Sequence, residues 1–82
     1  MPNYDQILQT IKEIWCQELH MDNFSLEDDF FELGGNSLKL ISVLDKIQKS
    51  NAFKAMSNLT IIELFDHPVL SDLVNLIQSK FP

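Results

Sequence analysis

The chain has 82 residues, 45% of them hydrophobic, and a net charge of −6 from twelve acids against six lysines, with no arginine. That length leaves room for one domain, taken as residues 1–82, and the apolar fraction excludes a wholly disordered chain. An acidic chain without arginine is a poor match for nucleic acid, and no apolar run resembles a membrane span or a secretory leader. The expectation is a cytoplasmic monomer without nucleic-acid or membrane contacts. Cys16, the only cysteine, cannot form an internal disulfide, and at the edge of an apolar stripe its expected role is packing.

Ile7, Leu8, Ile11, Ile14, Trp15 and Leu19 recur at helical period and predict a first helix over about Asp5–Leu19. Pro2 and Asn3 precede it, Asp5 suits the positive end of the helix dipole, and Trp15 is expected in the core. From His20 to Asn36 the period vanishes. Seventeen residues is long for a connection in a small domain, and such loops are commonly functional or internally packed. Phe24, Leu26, Phe30, Phe31 and Leu33 punctuate it and predict a loop pinned to the core. Ser25-x-x-Asp28 is spaced to cap a turn within it, and Glu27, Asp28, Asp29 and Glu32 make it acidic.

A second helix is predicted from about Ser37 to Lys49. Leu40, Ile41, Leu44 and Ile47 form its core stripe, and Lys39, Ser42, Lys46 and Lys49 its wet side, while Leu38 points away from the stripe. Ser50 to Leu59 reads as irregular, with Asn51, Ser57 and Asn58 as turn formers and Phe53 and Met56 tucked inward. Thr60-x-x-Glu63 is a capping box for a short helix, Ile61–Asp66. His67-Pro68 stops that helix, because the residue before proline resists the α conformation. Val69, Leu70, Leu73, Val74, Ile77 and Phe81 make the last stripe, on a helix starting at Val69–Ser71 and fraying near Lys80. The fold class is all-α, with three longer helices, one short one and a long loop between the first two.

Gly34 and Gly35, the only glycines, lead directly to Ser37 at the head of the second helix. Glycine accepts positive φ and lets other groups come close, so an unusual turn is expected there. A helix N-terminus has unpaired N–H groups and a partial positive charge, which suit a serine cap and equally an anion such as a phosphate ester. Spacing alone leaves Ser37 as either a helix cap or a modified serine. A catalytic nucleophile is the weaker reading. Only His20 and His67 are available as a base, and Gly35-Asn36-Ser37-Leu38-Lys39 departs from G-x-S-x-G at Lys39. The histidines and the cysteine match no zinc spacing, and the loop acids lack the calcium-loop pattern, so no catalytic or metal residue is assigned.

The run Asp28-Asp29-Phe30-Phe31-Glu32-Leu33-Gly34-Gly35-Asn36-Ser37-Leu38 resembles the signature of peptidyl carrier domains of nonribosomal peptide synthetases. That pattern is an Asp, any residue, two Phe, two variable positions and two Gly, then His or Asp, the modified Ser, and Leu or Ile. Thr60-Ile61-Ile62-Glu63-Leu64-Phe65 and His67-Pro68 also fall in register, so the resemblance covers nearly the whole chain. It implies an acyl-carrier-like four-helix bundle with 4′-phosphopantetheine joined covalently to Ser37. A separate phosphopantetheinyl transferase, with its own magnesium, would add that arm from coenzyme A, and the chain itself would catalyse nothing.

The same resemblance implies an adenylation enzyme or domain that loads the arm, and a condensation, tailoring or thioesterase enzyme that draws on it. A partner surface is expected at Asn36, Leu38, Lys39, Ile41 and Ser42, with Phe24 contributing from the loop; Ile41 is assigned to the core as well. Asn36 departs from the family's usual His or Asp. Fatty-acid and polyketide carriers typically present Asp there, and an acyl carrier of that type is one alternative. The other is a helical interaction module without a prosthetic group, in which Ser37 only caps a helix.

Overall fold

Asn3 starts the first helix one residue earlier than periodicity predicts. Its side-chain oxygen accepts the Gln6 backbone N–H at 2.9 Å while the Gln6 side chain accepts the Asn3 N–H at 2.9 Å, a reciprocal capping box. The computed structural model describes residues 2–53, 56 and 58–81, and among them four helices: α1 Tyr4–Leu19, α2 Ser37–Lys49, α3 Ile61–Asp66 and α4 Leu70–Ser79. His20 closes α1 in the left-handed conformation (φ 56°), donating its N–H to the Cys16 carbonyl at 2.9 Å. Helix α1 packs against both α2 and α4, and α3 packs against α2.

Ile7, Ile11 and Trp15 meet Leu40, Val43 and Ile47 of α2 and Leu70, Leu73, Val74 and Ile77 of α4 in one buried core. The α2 stripe differs from its expected form. Val43 is fully buried, Leu44 only partly, and Ile41 is 52% exposed. The buried positions run i, i+3, i+7 from Leu40, which places Ile41 a further 100° round, outside the contact with α1. In the connection after α2, Phe53, Met56 and Leu59 are buried, and Asn51 and Asn58 are exposed turn residues. Ser57, expected as a third turn former, lies outside the described residues.

The long loop is part of the core. Phe24 meets Trp15 edge-on with ring centroids 5.6 Å apart, and Phe30 packs on the same indole at 5.2 Å. Leu26 is the exception at 40% exposed, since only its backbone is used. The loop runs antiparallel to the chain entering α4: Phe30 donates its N–H to the Pro68 carbonyl, Leu70 to Asp28 and Ser71 to Leu26, all at 2.9–3.0 Å. The bonds from Leu70 and Ser71 satisfy the first two N–H groups of α4, whose N-cap residue Val69 has no side-chain oxygen to offer. Asp28 accepts the Ser25 N–H at 2.8 Å, and Asp29 accepts those of Phe31 and Glu32 at 2.8 and 3.3 Å. The acids at these two positions therefore shape the loop as well as charging it.

Candidate functional site

Two glycines make the reversal, one through its backbone conformation and the other through a close approach. The N–H of Gly34 bonds the Phe31 carbonyl at 3.2 Å and that of Gly35 the Phe30 carbonyl at 2.9 Å. Gly34 has φ 102°, a conformation that side chains with a Cβ rarely adopt. A Cβ on Gly35 would run into the Phe30 ring and lie 2.6 Å from its carbonyl oxygen, so the close approach requires glycine there. The buried Phe30 ring is thus the floor on which the turn rests.

The cap of α2 is Asn36, not Ser37. Asn36 is extended, and its side-chain oxygen accepts the Lys39 N–H at 2.9 Å while its carbonyl accepts that of Leu40 at 2.9 Å. Asparagine is among the best N-caps, and its amide oxygen does the same work as an Asp carboxylate without the charge. Ser37 becomes the first helical residue. It is exposed, and its hydroxyl has no hydrogen-bond partner among the described residues. Freed from capping, that hydroxyl is available to a reagent from outside, and any anion formed on it sits at the positive end of a 13-residue helix.

The residues expected around it divide. Leu38 is 79% exposed and Ile41 52%, both facing outward, and Lys39 is half-buried with no ion pair among the described residues. Ser42 is committed elsewhere: its hydroxyl donates to Glu18 of α1 at 2.7 Å, beside Lys46, whose ammonium reaches the same oxygen at 2.6 Å. Burial pushes the Glu18 pKa up, but the hydrogen bonds from Lys46 and Ser42 and the charges of Lys46 and Lys39 outweigh it, and the net shift is downward. Phe24, expected on the partner surface, is 8% exposed and packed on Trp15, because the loop folds inward there.

Helix α3 supplies what sequence reasoning missed. Ile62 is 69% exposed and Phe65 41%, on the helix that packs against α2. The signal was present: six residues carry two i, i+3 apolar pairs, Ile61/Leu64 and Ile62/Phe65, and so short a helix can turn only one of them inward, here Leu64 fully and Ile61 in part. Among the described residues no group of three or more His, Cys, Asp or Glu is arranged to hold a metal ion. The open cleft between α1 and α2, lined by Thr10, Glu13, Ile14, Gln17, Lys46, Lys49 and Ser50, includes no residue of the glycine turn. No helix is long and apolar enough to cross a membrane, among the described residues.

The family model described as "Phosphopantetheine attachment site" matches residues 9–77. The chain is 40% identical to a linear gramicidin synthase of Brevibacillus parabrevis over 65 residues, covering 79% of this chain and 1% of that protein. It is 33% identical over 76 residues to a nonribosomal peptide synthetase of Aspergillus rugulosus, covering 90% of this chain and 1% of that protein. With a plipastatin synthase of Bacillus subtilis it shares 30% identity over 80 residues, covering 98% of this chain and 3% of that one. The chain therefore spans only a few hundredths of the length of these relatives. No solved structure matches significantly. Because the matched span runs from α1 into α4 and takes in both the glycine turn and the serine it delivers, the chain belongs to the phosphopantetheine attachment family, whose members carry 4′-phosphopantetheine covalently.

Proposed function

We propose that Ser37 is the attachment point and that the chain is a single carrier domain of nonribosomal peptide synthesis. The observation that carries this is the division of labour at the head of α2: Asn36 caps, and the exposed Ser37 hydroxyl is left without a partner among the described residues. In the transfer, the Ser37 oxygen attacks the phosphorus bonded to the pantetheine arm of coenzyme A. The pyrophosphate P–O bond breaks, adenosine 3′,5′-bisphosphate leaves, and the hydroxyl proton passes to a base of the separate phosphopantetheinyl transferase. Once attached, the arm supplies a terminal thiol that holds an aminoacyl, peptidyl or related acyl group as a thioester.

What the chain's own residues do is present and position. Gly34 and Gly35 keep side chains out of the approach, and the N-terminus of α2 favours the phosphodiester charge by about 0.3–1 kcal/mol. Leu38, Lys39 and Ile41, next along the helix, form the surface offered to the transferase, to an adenylating partner and to a condensation, tailoring or thioesterase partner in the cytoplasm. The tether turns those encounters into local ones at high effective concentration. The peptidyl assignment is supported by relatives named as nonribosomal peptide and gramicidin synthases.

The test is intact-mass measurement after incubation with coenzyme A, magnesium and a broad-specificity transferase. A gain of one phosphopantetheine, absent from Ser37→Ala, is expected; no gain with several transferases would overturn the reading. Charging of the loaded form by an amino-acid-adenylating enzyme is expected too, and charging by malonyl or fatty donors alone would sink the peptidyl class.

A further inference from the structure

Helix α3 is tied down by polar and aromatic contacts at both its ends as well as by the core contacts of Leu64 and Ile61. It has six residues, of which only Leu64 is buried, and a helix so short has no stability of its own. At its N-terminus the Glu63 carboxylate is a hub. One oxygen accepts the Thr60 N–H at 3.0 Å, and the other pairs at 2.8 Å with Lys80 at the end of α4, whose ammonium also donates to the Asn58 carbonyl at 3.0 Å. At its C-terminus the Phe65 ring lies on that of Phe31, with centroids 6.0 Å apart and planes within 11°.

Phe31 belongs to the glycine turn. Its carbonyl accepts the Gly34 N–H at 3.2 Å, and its ring meets that of Phe30 edge-on at 6.0 Å. Phe30 in turn accepts the Gly35 N–H and sits where a Gly35 Cβ would be. A continuous set of contacts therefore runs from Lys80 through Glu63 and α3 to Phe65, Phe31 and the turn that delivers Ser37. Phe65 is 41% exposed, so its ring does more for the loop than for the core.

We propose that Phe65 is a positioning residue for the serine: by stacking on Phe31 it holds the turn before Ser37 in the geometry that the transferase meets. The inference rests on the reading of Ser37 as the attachment point. Lys80 acts one step further out, by keeping α3 seated. An aromatic stack contributes enough that its loss should lower kcat/KM for modification by roughly two- to tenfold.

The experiment is a double-mutant cycle with Phe65→Leu and Phe31→Leu, which keep apolar volume and remove the stack, read by transferase kinetics on the carrier and by amide hydrogen exchange at Gly34 and Gly35. Each single variant is expected to slow modification, the double variant no further than either, and exchange at both glycines to quicken before any modification. Lys80→Met is expected to move the same exchange in the same direction, with Lys80→Arg restoring it. Multiplying effects of the two leucine variants, or unchanged glycine exchange in Phe65→Leu, would overturn the proposal and leave Phe65 as a partner contact. If the wild-type chain takes no phosphopantetheine, the attachment reading fails, while the exchange measurement on the unmodified protein still decides whether Phe65 holds the turn.

Discussion

Asn36 and Ser37 are adjacent and do opposite work. The Asn36 amide oxygen satisfies the Lys39 N–H, and the neighbouring Ser37 hydroxyl satisfies nothing among the described residues. Stability and modification should therefore separate between the two positions. Asn36→Ala is expected to lose about 1 kcal/mol in urea denaturation, with Asn36→Asp retaining the cap. Ser37→Ala is expected to stay within about 0.5 kcal/mol of wild type while losing all modification. Sequence made the serine conspicuous through its two glycines, but which of two neighbouring cap-forming residues takes the cap depends on where the chain enters the helix. That entry is set by Gly35 against Phe30, a contact between side chain and backbone that no spacing rule encodes.

At the scale of elements, the helices were legible because their apolar periods are strong, and the capping box at Thr60 and Glu63 appears as its spacing requires. The face of α2 was less so. Ile41 and Val43 lie on either side of Leu40 and Leu44 on the wheel, and only packing against α1 decides that Val43 goes in and Ile41 out. The loop's burial was readable from its phenylalanines, but the backbone pairing of Asp28 and Phe30 with Pro68 and Leu70 joins residues about forty positions apart and leaves no local mark.

The polar ties between elements carry a pH signature. The Glu63 pKa is lowered from its ordinary 4.5, first by the hydrogen bond from Lys80 and then by that from the Thr60 backbone. A carboxylate with a depressed folded pKa contributes stability that is present above its unfolded pKa and is lost as pH falls through the folded value. Urea midpoints should therefore decline below about pH 4.5, and Glu63→Gln should flatten part of that acid limb. A limb unchanged by Glu63→Gln would mean that the Lys80 pair contributes nothing in solution.

Over the whole molecule, one core serves helices and loop alike, and Trp15 touches both: α1 carries it, and the loop's Phe24 and Phe30 pack on its ring. Trp15 fluorescence and helical circular dichroism are thus expected to report coincident unfolding transitions, as a two-state domain requires. A fluorescence change well before the helical one would show a loop that unfolds separately. Charge is distributed as well as burial. The loop before Ser37 holds Asp22, Glu27, Asp28, Asp29 and Glu32 without a lysine, whereas α2 beyond it carries Lys39, Lys46 and Lys49 against Asp45. Ser37 stands at that boundary, on a surface whose apolar members are Leu38 and Ile41. The measurement that bears most directly on this account is tandem mass spectrometry of the protein after transferase treatment, locating the modified residue. The account predicts phosphopantetheine on Ser37; the same group on any other serine, such as Ser25 or Ser42, or a folded chain that takes none, would contradict it.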